Sequence, residues 1–157
     1  MKIINFLKIK FKKVKKKTNV LFVCTGNTCR SPMAEAIAKK VFGTKKYDFR
    51  SAGMITNGFN PVSENAVVAL QQLNIGDISQ HTSQPLTKEL VDKSDYVFVM
   101  TESHKINFYR KFPKARCCVL NENGIADPFM KDINTYIDCA WQIQKSMYET
   151  VLKYLKG

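Results

Sequence analysis

The sequence predicts an α/β protein with a doubly wound, four-stranded parallel sheet and helices on both faces. Three observations lead to this fold class. Short apolar runs alternate along the chain with segments of helical spacing. The run DYVFVM at residues 95–100 is almost continuously apolar, as in parallel strands that are buried on both faces. Finally, 157 residues with 45% apolar side chains suffice for one hydrophobic core.

Each element follows from a local pattern. The first strand is NVLFV at residues 19–23, and a helix follows in which Ser31 is the N-cap and Pro32 the first helical residue. Gly43 ends this helix. The other strands are predicted at residues 47–51, 95–100 and 115–120. The other helices are predicted at residues 61–73, 87–93, 102–111 and 133–155.

The net charge of +12 is concentrated at the N-terminus. Residues 1–17 contain eight lysines and no acidic residue, which leaves residues 18–157 only mildly basic. A positive charge confined to a tail is weak support for nucleic-acid binding, and no specific nucleic-acid partner is expected. We therefore predict a basic extension at residues 1–17 and one globular domain at residues 18–157, which is expected to be a monomer.

The basic extension has two interpretations. Ile4, Leu7, Phe11 and Val14 recur at helical spacing, so residues 3–16 would form a basic amphipathic helix that makes weak contact with an anionic membrane surface. The alternative is a frayed terminus without a role of its own. The first interpretation places the protein at the membrane periphery, and the second leaves it entirely in the cytoplasm.

The cysteines indicate a cytoplasmic protein. Their number, five, is odd, and the N-terminus lacks the apolar core and cleavage site of a secretory signal, so a disulfide framework is not expected. No Cys-x2-Cys pair is present and the two histidines are far apart, so we predict no metal site. Cys117 and Cys118, on opposite faces of a strand, and Cys139 are expected in the core.

The segment CTGNTCRS, at residues 24–31, has the features of an oxyanion-binding loop. Its backbone N–H groups and the following helix N-terminus can surround a tetrahedral anion. Gly26 supplies the unusual dihedral angles of such a loop, and Asn27 is the next most tolerant residue for a left-handed position. Arg30 presents a planar pair of donors to two phosphate oxygens. The same positive field favours the thiolate form of Cys24, which makes nucleophile and anion site one unit. The alternative is that Cys24 is a buried cysteine at a strand end.

The segment VLFVCTGNTCRSPMAEA resembles the phosphate-binding loop of low-molecular-weight protein phosphatases, whose relatives include arsenate reductases. The likeness covers about residues 18–157 and is strongest to the bacterial protein arginine phosphatases. It continues through residues 50–53, His81, Leu86 and Thr87, SDYVFVMTESH and residues 126–129. This resemblance implies a cysteine-dependent phosphatase that acts on phosphorylated proteins and requires no metal or other cofactor.

The resemblance also implies roles for matching residues. Cys24 would be the nucleophile, Arg30 the phosphate clamp and Ser31 the hydroxyl that stabilises the thiolate. The phosphate-binding residues would be Thr25, Gly26, Asn27, Thr28, Cys29, Arg30 and Ser31. The residues that support the shape of the loop would be Asn27, Ser51 and His81.

Asp127 and Cys29 each have two interpretations. The resemblance makes Asp127 the general acid for the leaving group and then the base for water, in a double displacement through a thiophosphoryl-cysteine intermediate. An Asp-Pro pair by itself more often starts a turn. Cys29 would form a protective, reversible disulfide with Cys24 under oxidation, or would only pack at the base of the loop.

Thr28 and Phe129 bear on the choice of substrate. Tyrosine phosphatases of this family usually carry a bulky aliphatic residue at the position of Thr28, whereas a hydroxyl there can orient a guanidinium nitrogen or a water. We therefore favour phosphoarginine over phosphotyrosine, although Phe129 is able to stack on a phenol. An arsenate reductase would need further cysteines in the segment MTESHKINFYRKF, which has none. A non-catalytic anion-binding module is the remaining alternative.

Overall fold

A computed structural model describes residues 16–157, and the amphipathic helix proposed for residues 3–16 falls outside this range except for its last position. The described chain contains one sheet of four parallel strands in the order 2-1-3-4. The strands are β1 (Thr18–Cys24), β2 (Tyr47–Gly53), β3 (Tyr96–Val99) and β4 (Cys118–Val119). This arrangement confirms the predicted α/β class.

Helices connect the strands and cover the sheet. They are α1 (Arg30–Phe42), α2 (Glu64–Gln72), α3 (Lys88–Lys93), α4 (Glu102–Lys111) and α5 (Ile133–Ser146). A π-helical turn (Met147–Val151) joins α5 to a short α6 (Leu152–Lys156), so the predicted helix over 133–155 is present but locally widened. Across the described residues, no helix is both long enough and apolar enough to span a bilayer.

Both faces of the sheet are buried, as the apolar runs predict. Alternate side chains of β1 point to opposite faces because a strand repeats every two residues. Phe22 faces α1, α2 and α5, where its ring lies 5.9 Å from that of Phe98. Leu21 faces α3 and α4 and packs in a second cluster with Val91 and Phe108. The sheet is therefore doubly wound.

Two helices begin two or more residues away from their predicted starts. The first is α1, which begins at Arg30, with Cys29 rather than Ser31 at the cap position and no side-chain cap. Ser31 is inside the helix because its hydroxyl is engaged in the preceding loop, as described below. The second is α2, which begins at Glu64 after the N-cap position Ser63. The residues before it are not helical because Pro61 forms a β-bridge to another segment.

The fourth strand and its cysteines also differ from expectation. Only Cys118–Val119 pair with β3, so β4 is shorter than the predicted 115–120. Cys117 is buried on the α3–α4 face, and Cys118 packs toward the other face, as predicted. Cys118 is only half-buried, however, with Sγ 2.9 Å from the hydroxyl of Tyr154, so its placement in the core is corrected. Cys139 is buried as expected.

The strand order determines where a ligand can bind. From β1 the chain passes through α1 to β2 on one side, and it then crosses to β3 on the other side of β1. The carboxyl ends of β1 and β3 therefore border a topological switch point, which is where open α/β sheets bind their ligands. The segment at residues 24–31 lies at this point.

Candidate active site

A cleft of about 190 Å³ opens at the carboxyl end of β1. Its lining residues are Cys24, Thr25, Gly26, Thr28, Cys29, Arg30, Asp127 and Phe129. The fold thus brings Asp127 and Phe129 next to the loop that precedes α1, although they lie about a hundred positions after it in the chain. Every residue predicted as catalytic lines this one cleft.

Cys24 is hydrogen-bonded to Ser31 at the first turn of α1. The Cys24 Sγ atom lies 3.0 Å from the hydroxyl oxygen of Ser31, and both residues are buried. The amide Nδ2 of Asn27 donates to the same hydroxyl oxygen at 2.7 Å. Because the oxygen already accepts a hydrogen bond from Asn27, its own proton is available to Cys24. The hydroxyl of Ser31 is therefore placed to stabilise a thiolate, which explains why it does not cap the helix.

Asn27 has the left-handed backbone conformation of the loop. Its φ is +57°, and its side chain is fully buried. Gly26 does not have a positive φ, so the prediction that Gly26 supplies the unusual dihedral is wrong. Asn27 tolerates this conformation better than most residues and supplies polar atoms that hold it. Its Oδ1 accepts from the backbone N–H of Gln84 at 2.9 Å, and its carbonyl accepts from His81 Nε2 at 3.1 Å.

Ser51 supports the loop only indirectly. Its hydroxyl donates to Glu35 Oε2 at 2.7 Å rather than to the loop. Its carbonyl accepts from the Gln84 side chain at 2.8 Å, and the Gln84 backbone in turn donates to Asn27. The predicted loop-supporting role of Ser51 therefore depends on Glu35 and Gln84. Sequence reasoning missed both residues because neither lies in the oxyanion-binding loop at residues 24–31.

The loop continues the hydrogen-bond ladder of the sheet beyond its last paired residues. The carbonyls of Cys24 and Thr25 accept from the N–H groups of Met54 and Ile55 at 2.9 and 2.8 Å. Gly53 ends β2 directly beside this contact. A Cβ atom on Gly53 would lie 2.9 Å from the carbonyl oxygen of Thr25, closer than real Cβ contacts allow. Only glycine therefore fits at this position without moving the loop.

Arg30 and Asp127 form an ion pair inside the cleft. Arg30 Nη2 lies 3.4 Å from Asp127 Oδ2, and Arg30 Nη1 donates to the carbonyl of Ile125 at 2.9 Å. Arg30 is only 5% exposed, whereas Asp127 is 51% exposed. The guanidinium is thus fixed on one side by backbone, and the carboxylate remains accessible to a substrate or water. Phe129, 56% exposed, forms the rim beside it.

The thiol of Cys29 has two hydroxyl neighbours that the sequence did not indicate. Its Sγ lies 2.9 Å from Ser63 Oγ and 3.3 Å from the hydroxyl of Tyr136. Burial, followed by the hydrogen bond to Cys29, raises the pKa of Tyr136 to about 12. The phenol therefore keeps its proton at physiological pH and is able to donate it to sulfur. These contacts tether the base of the loop to α2 and α5.

A buried histidine lies on the opposite side of the loop. His104 Nε2 is 2.8 Å from Thr25 Oγ1, and Nδ1 is 3.0 Å from Thr101 Oγ1. Burial, and then the positive charge of Arg30, lower the pKa of His104 to about 4, although Asp127 acts in the opposite direction. The imidazole is therefore neutral at physiological pH. The only signal for it in the sequence was its position after the third predicted strand.

The chemistry of this site does not resemble that of a metal centre. Within residues 16–157, no three His, Cys, Asp or Glu side chains are close enough together to hold a metal ion. The cleft instead combines the thiol of Cys24, the guanidinium of Arg30 and the carboxyl group of Asp127, which suit nucleophilic attack on an oxyanion.

Comparison with known families agrees with this geometry. The sequence model of the low molecular weight phosphotyrosine protein phosphatases matches residues 19–156. The chain belongs to the low molecular weight phosphotyrosine protein phosphatase family. It is therefore a hydrolase of the protein phosphatase class with a cysteine-based site.

Individual members of this phosphatase family are similar over most of their length. A protein-arginine-phosphatase of Bacillus subtilis (strain 168) is 36% identical over 128 residues, which are 75% of this chain and 84% of that protein. The crystal structure of a YwlE mutant from Bacillus subtilis superposes with a TM-score of 0.82 at 31% identity and covers 90% of this chain and 100% of its own.

The family likeness extends to enzymes of another class. Arsenate reductase 1 of Staphylococcus epidermidis is 37% identical over 122 residues, which are 74% of this chain and 82% of that protein. The scaffold and its anion-binding loop are thus compatible with both chemistries, and the choice between them depends on individual residues of the cleft.

Proposed function

We propose that this phosphatase hydrolyses phosphoarginine in proteins and that Cys24, Arg30 and Asp127 carry the reaction. The observation on which the substrate class rests is the small, polar side chain of Thr28 in the wall of the cleft. Two further facts support it: the similarity to a protein-arginine-phosphatase, and the absence of cysteine from α4, where an arsenate reductase would need a relay thiol.

The proposed reaction has two displacements at phosphorus. The Cys24 thiolate attacks the phosphorus while Arg30 and the loop amides hold the equatorial oxygens. The bond from phosphorus to the arginine nitrogen breaks, and Asp127 gives its proton to that nitrogen. Water then attacks the thiophosphoryl group as Asp127 accepts its proton, which releases phosphate and restores the Cys24 thiolate.

Thr28 would select the substrate because it borders the bond being broken. Its hydroxyl lies 3.7 Å from the sulfur of Cys29, which is too long for a strong bond, so it is free to meet a guanidinium nitrogen or a water. A branched alkyl group could only pack against an aromatic ring. Within the cleft, Phe129 at the rim favours the alternative substrate, phosphotyrosine.

Replacing Thr28 with isoleucine is expected to lower phosphoarginine activity and to keep or raise phosphotyrosine activity. Loss of a polar contact of this kind is worth ~1–3 kcal/mol, or roughly tenfold to two-hundredfold in relative kcat/KM. Turnover of paired phosphoarginine and phosphotyrosine peptides measures the shift. Thr28→Ser keeps the hydroxyl and should retain the preference, whereas Thr28→Val separates loss of the hydroxyl from added bulk. If the wild type prefers phosphotyrosine and Thr28→Ile does not change that preference, phosphoarginine is refuted as the substrate. The assignment as a phosphatase would still stand.

We also propose that Cys29 protects Cys24 from irreversible oxidation. Peroxide oxidises the Cys24 thiolate to a sulfenic acid, and attack by the Cys29 thiol then forms a disulfide and releases water. Both residues line the same cleft. Peroxide should inactivate the wild type reversibly, and Cys29→Ser should recover less activity on addition of thiol. Equal recovery of both proteins would leave Cys29 with a packing role only.

The remaining proposals concern location and partners. All five cysteines are free thiols, which suits a reducing cytoplasm. We propose that the protein acts there on phosphorylated proteins, as a monomer.

The lysines of residues 1–17 would add weak contact with anionic lipid, at ~1 kcal/mol for each lysine near the surface. Deletion of residues 1–17 should then abolish co-sedimentation with anionic vesicles at low salt without changing turnover. Failure of the full chain to bind vesicles would leave the extension without this role.

A further inference from the structure

His104 joins the first turn of α4 to the oxyanion loop. It is only 7% exposed, and both of its ring nitrogens have hydroxyl partners. Nδ1 faces Thr101, the N-cap residue of α4, and Nε2 faces Thr25, which lines the cleft beside Cys24. The cap of α4 needs no Nε2 contact, because Thr101 Oγ1 already accepts the backbone N–H of His104 at 3.2 Å. The Nε2 contact therefore serves the loop rather than the helix.

The hydrogen-bond pattern favours one tautomer of the ring. Thr101 Oγ1 already accepts the backbone N–H of His104, and its own hydroxyl proton is available to the lone pair of Nδ1. In that tautomer the neutral imidazole carries its proton on Nε2 and donates a hydrogen bond to Thr25 Oγ1. The charged groups that act on the ring are Arg30, from α1, and Asp127, from the loop after β4, and the ring stays neutral between them.

We propose that His104 is a positioning residue for catalysis: it donates to the Thr25 hydroxyl, so that the proton of that hydroxyl is presented to the oxyanion in the cleft. Thr25 would thereby add a side-chain donor to the backbone donors of the loop. This inference rests on the proposed phosphatase chemistry of Cys24 and Arg30, and it concerns a step that is common to every phosphorylated substrate.

Two amide substitutions separate the contacts of the ring. The side-chain nitrogen of glutamine reaches about as far as Nε2 and can donate to Thr25, whereas asparagine reaches only the position of Nδ1. We expect His104→Gln to stay within about threefold of wild-type kcat/KM. His104→Asn should lose roughly 10- to 100-fold, as for a hydrogen bond to a charged group, and should weaken competitive inhibition by inorganic phosphate in parallel.

A double-mutant cycle tests whether the histidine acts through Thr25. Thr25→Val should lose about as much activity as His104→Asn, Thr25→Ser should restore it, and the double variant should lose no more than either single one. Additive losses in the double variant, or equal losses for His104→Gln and His104→Asn, would overturn the proposal. Thr25→Val leaves the cap of α4 intact, so the test survives if the His104 variants fold poorly.

The choice of substrate keeps this test separate from the proposed function. A small aryl phosphate reports on the loop whichever phosphorylated side chain is natural, so wild-type turnover of it is the reference for every variant. Wild-type protein that turns over no phosphate ester or phosphoarginine peptide would refute the proposed function itself. If the wild type turns over the aryl phosphate normally and Thr25→Val does so at the same rate, only the proposed role of His104 and Thr25 is refuted.

The pH dependence of the unfolding temperature tests whether the imidazole of His104 is neutral in the folded protein. A histidine with a pKa of about 4 in the folded protein and ~6.5 when unfolded takes up its proton mainly on unfolding between these values. The contribution of His104 to stability is therefore complete above pH ~6.5 and is lost as pH falls toward 4. The unfolding temperature of the wild type should fall more steeply over this range than that of His104→Gln, which cannot titrate. Equal slopes would contradict a neutral, buried His104.

Discussion

Replacement of Cys24 with serine is expected to abolish turnover and to leave oxyanion binding intact. Serine at this position is a much weaker nucleophile than a cysteine thiolate, and the hydroxyl of Ser31, which is hydrogen-bonded to Cys24, is not basic enough to deprotonate it. Loss of a nucleophile of this kind lowers kcat by about 10⁴-fold or more. The loop amides and Arg30 remain, so inorganic phosphate should still bind in a direct titration.

A matched cysteine variant controls for the loss of a buried thiol. Cys117 is buried in the cluster on the other face of the sheet, and burial raises the pKa of its thiol to about 11, so it is an inert thiol at neutral pH. Cys117→Ser should keep its activity, apart from a modest cost in stability. Substantial turnover by Cys24→Ser would place the chemistry at another residue.

Replacement of Asp127 with alanine should have the second-largest effect, and the size of the effect should depend on the leaving group. General acid catalysis contributes ~10²–10⁴-fold, and the full loss is expected for phenols, which leave poorly without a proton. Phosphoarginine should suffer less because its P–N bond is intrinsically labile. Rates for a series of aryl phosphates with leaving groups of increasing pKa would measure this dependence.

The control for this experiment is another exposed aspartate. Asp138 lies on the exposed side of α5, away from the cleft, and Asp138→Ala should leave every rate unchanged. A loss in Asp127→Ala that is the same for good and poor leaving groups would contradict proton transfer. Asp127 would then act by orienting Arg30, with which it is paired at 3.4 Å.

The parts of the site that the sequence predicts well are those formed by consecutive residues. β1, the loop and α1 follow one another, so apolar pattern, loop composition and helix signals all describe the same local structure. Even here, the local signals assigned Ser31 to the helix cap, and only the family resemblance indicated its contact with Cys24. A serine before proline is a good N-cap by propensity, but the thiol of Cys24 and the amide of Asn27 compete for its hydroxyl. Tertiary contacts outweigh such a local preference.

The parts that sequence reasoning missed are contacts between distant segments. Gln84 and His104 reach the loop from 57 and 79 positions away, as hydrogen bonds to Asn27 and Thr25. Nothing in the local sequence around either residue indicates its partner. Asp127 was named as a candidate only through the resemblance to a family, because an Asp-Pro pair in isolation is typical of a turn, and the structure places it in the cleft.

The contacts of the loop with the segment after β2 have a consequence for how the site meets its ligand. The carbonyls of Cys24 and Thr25 are held by hydrogen bonds from the backbone N–H groups of Met54 and Ile55. Because each peptide plane carries its N–H opposite its carbonyl, this anchoring constrains the direction of the neighbouring amide dipoles before any anion arrives. Binding then requires little rearrangement, and the electrostatic field that stabilises the transition state exists already in the free enzyme. The rigidity of the sheet edge is, in this sense, part of the catalytic machinery.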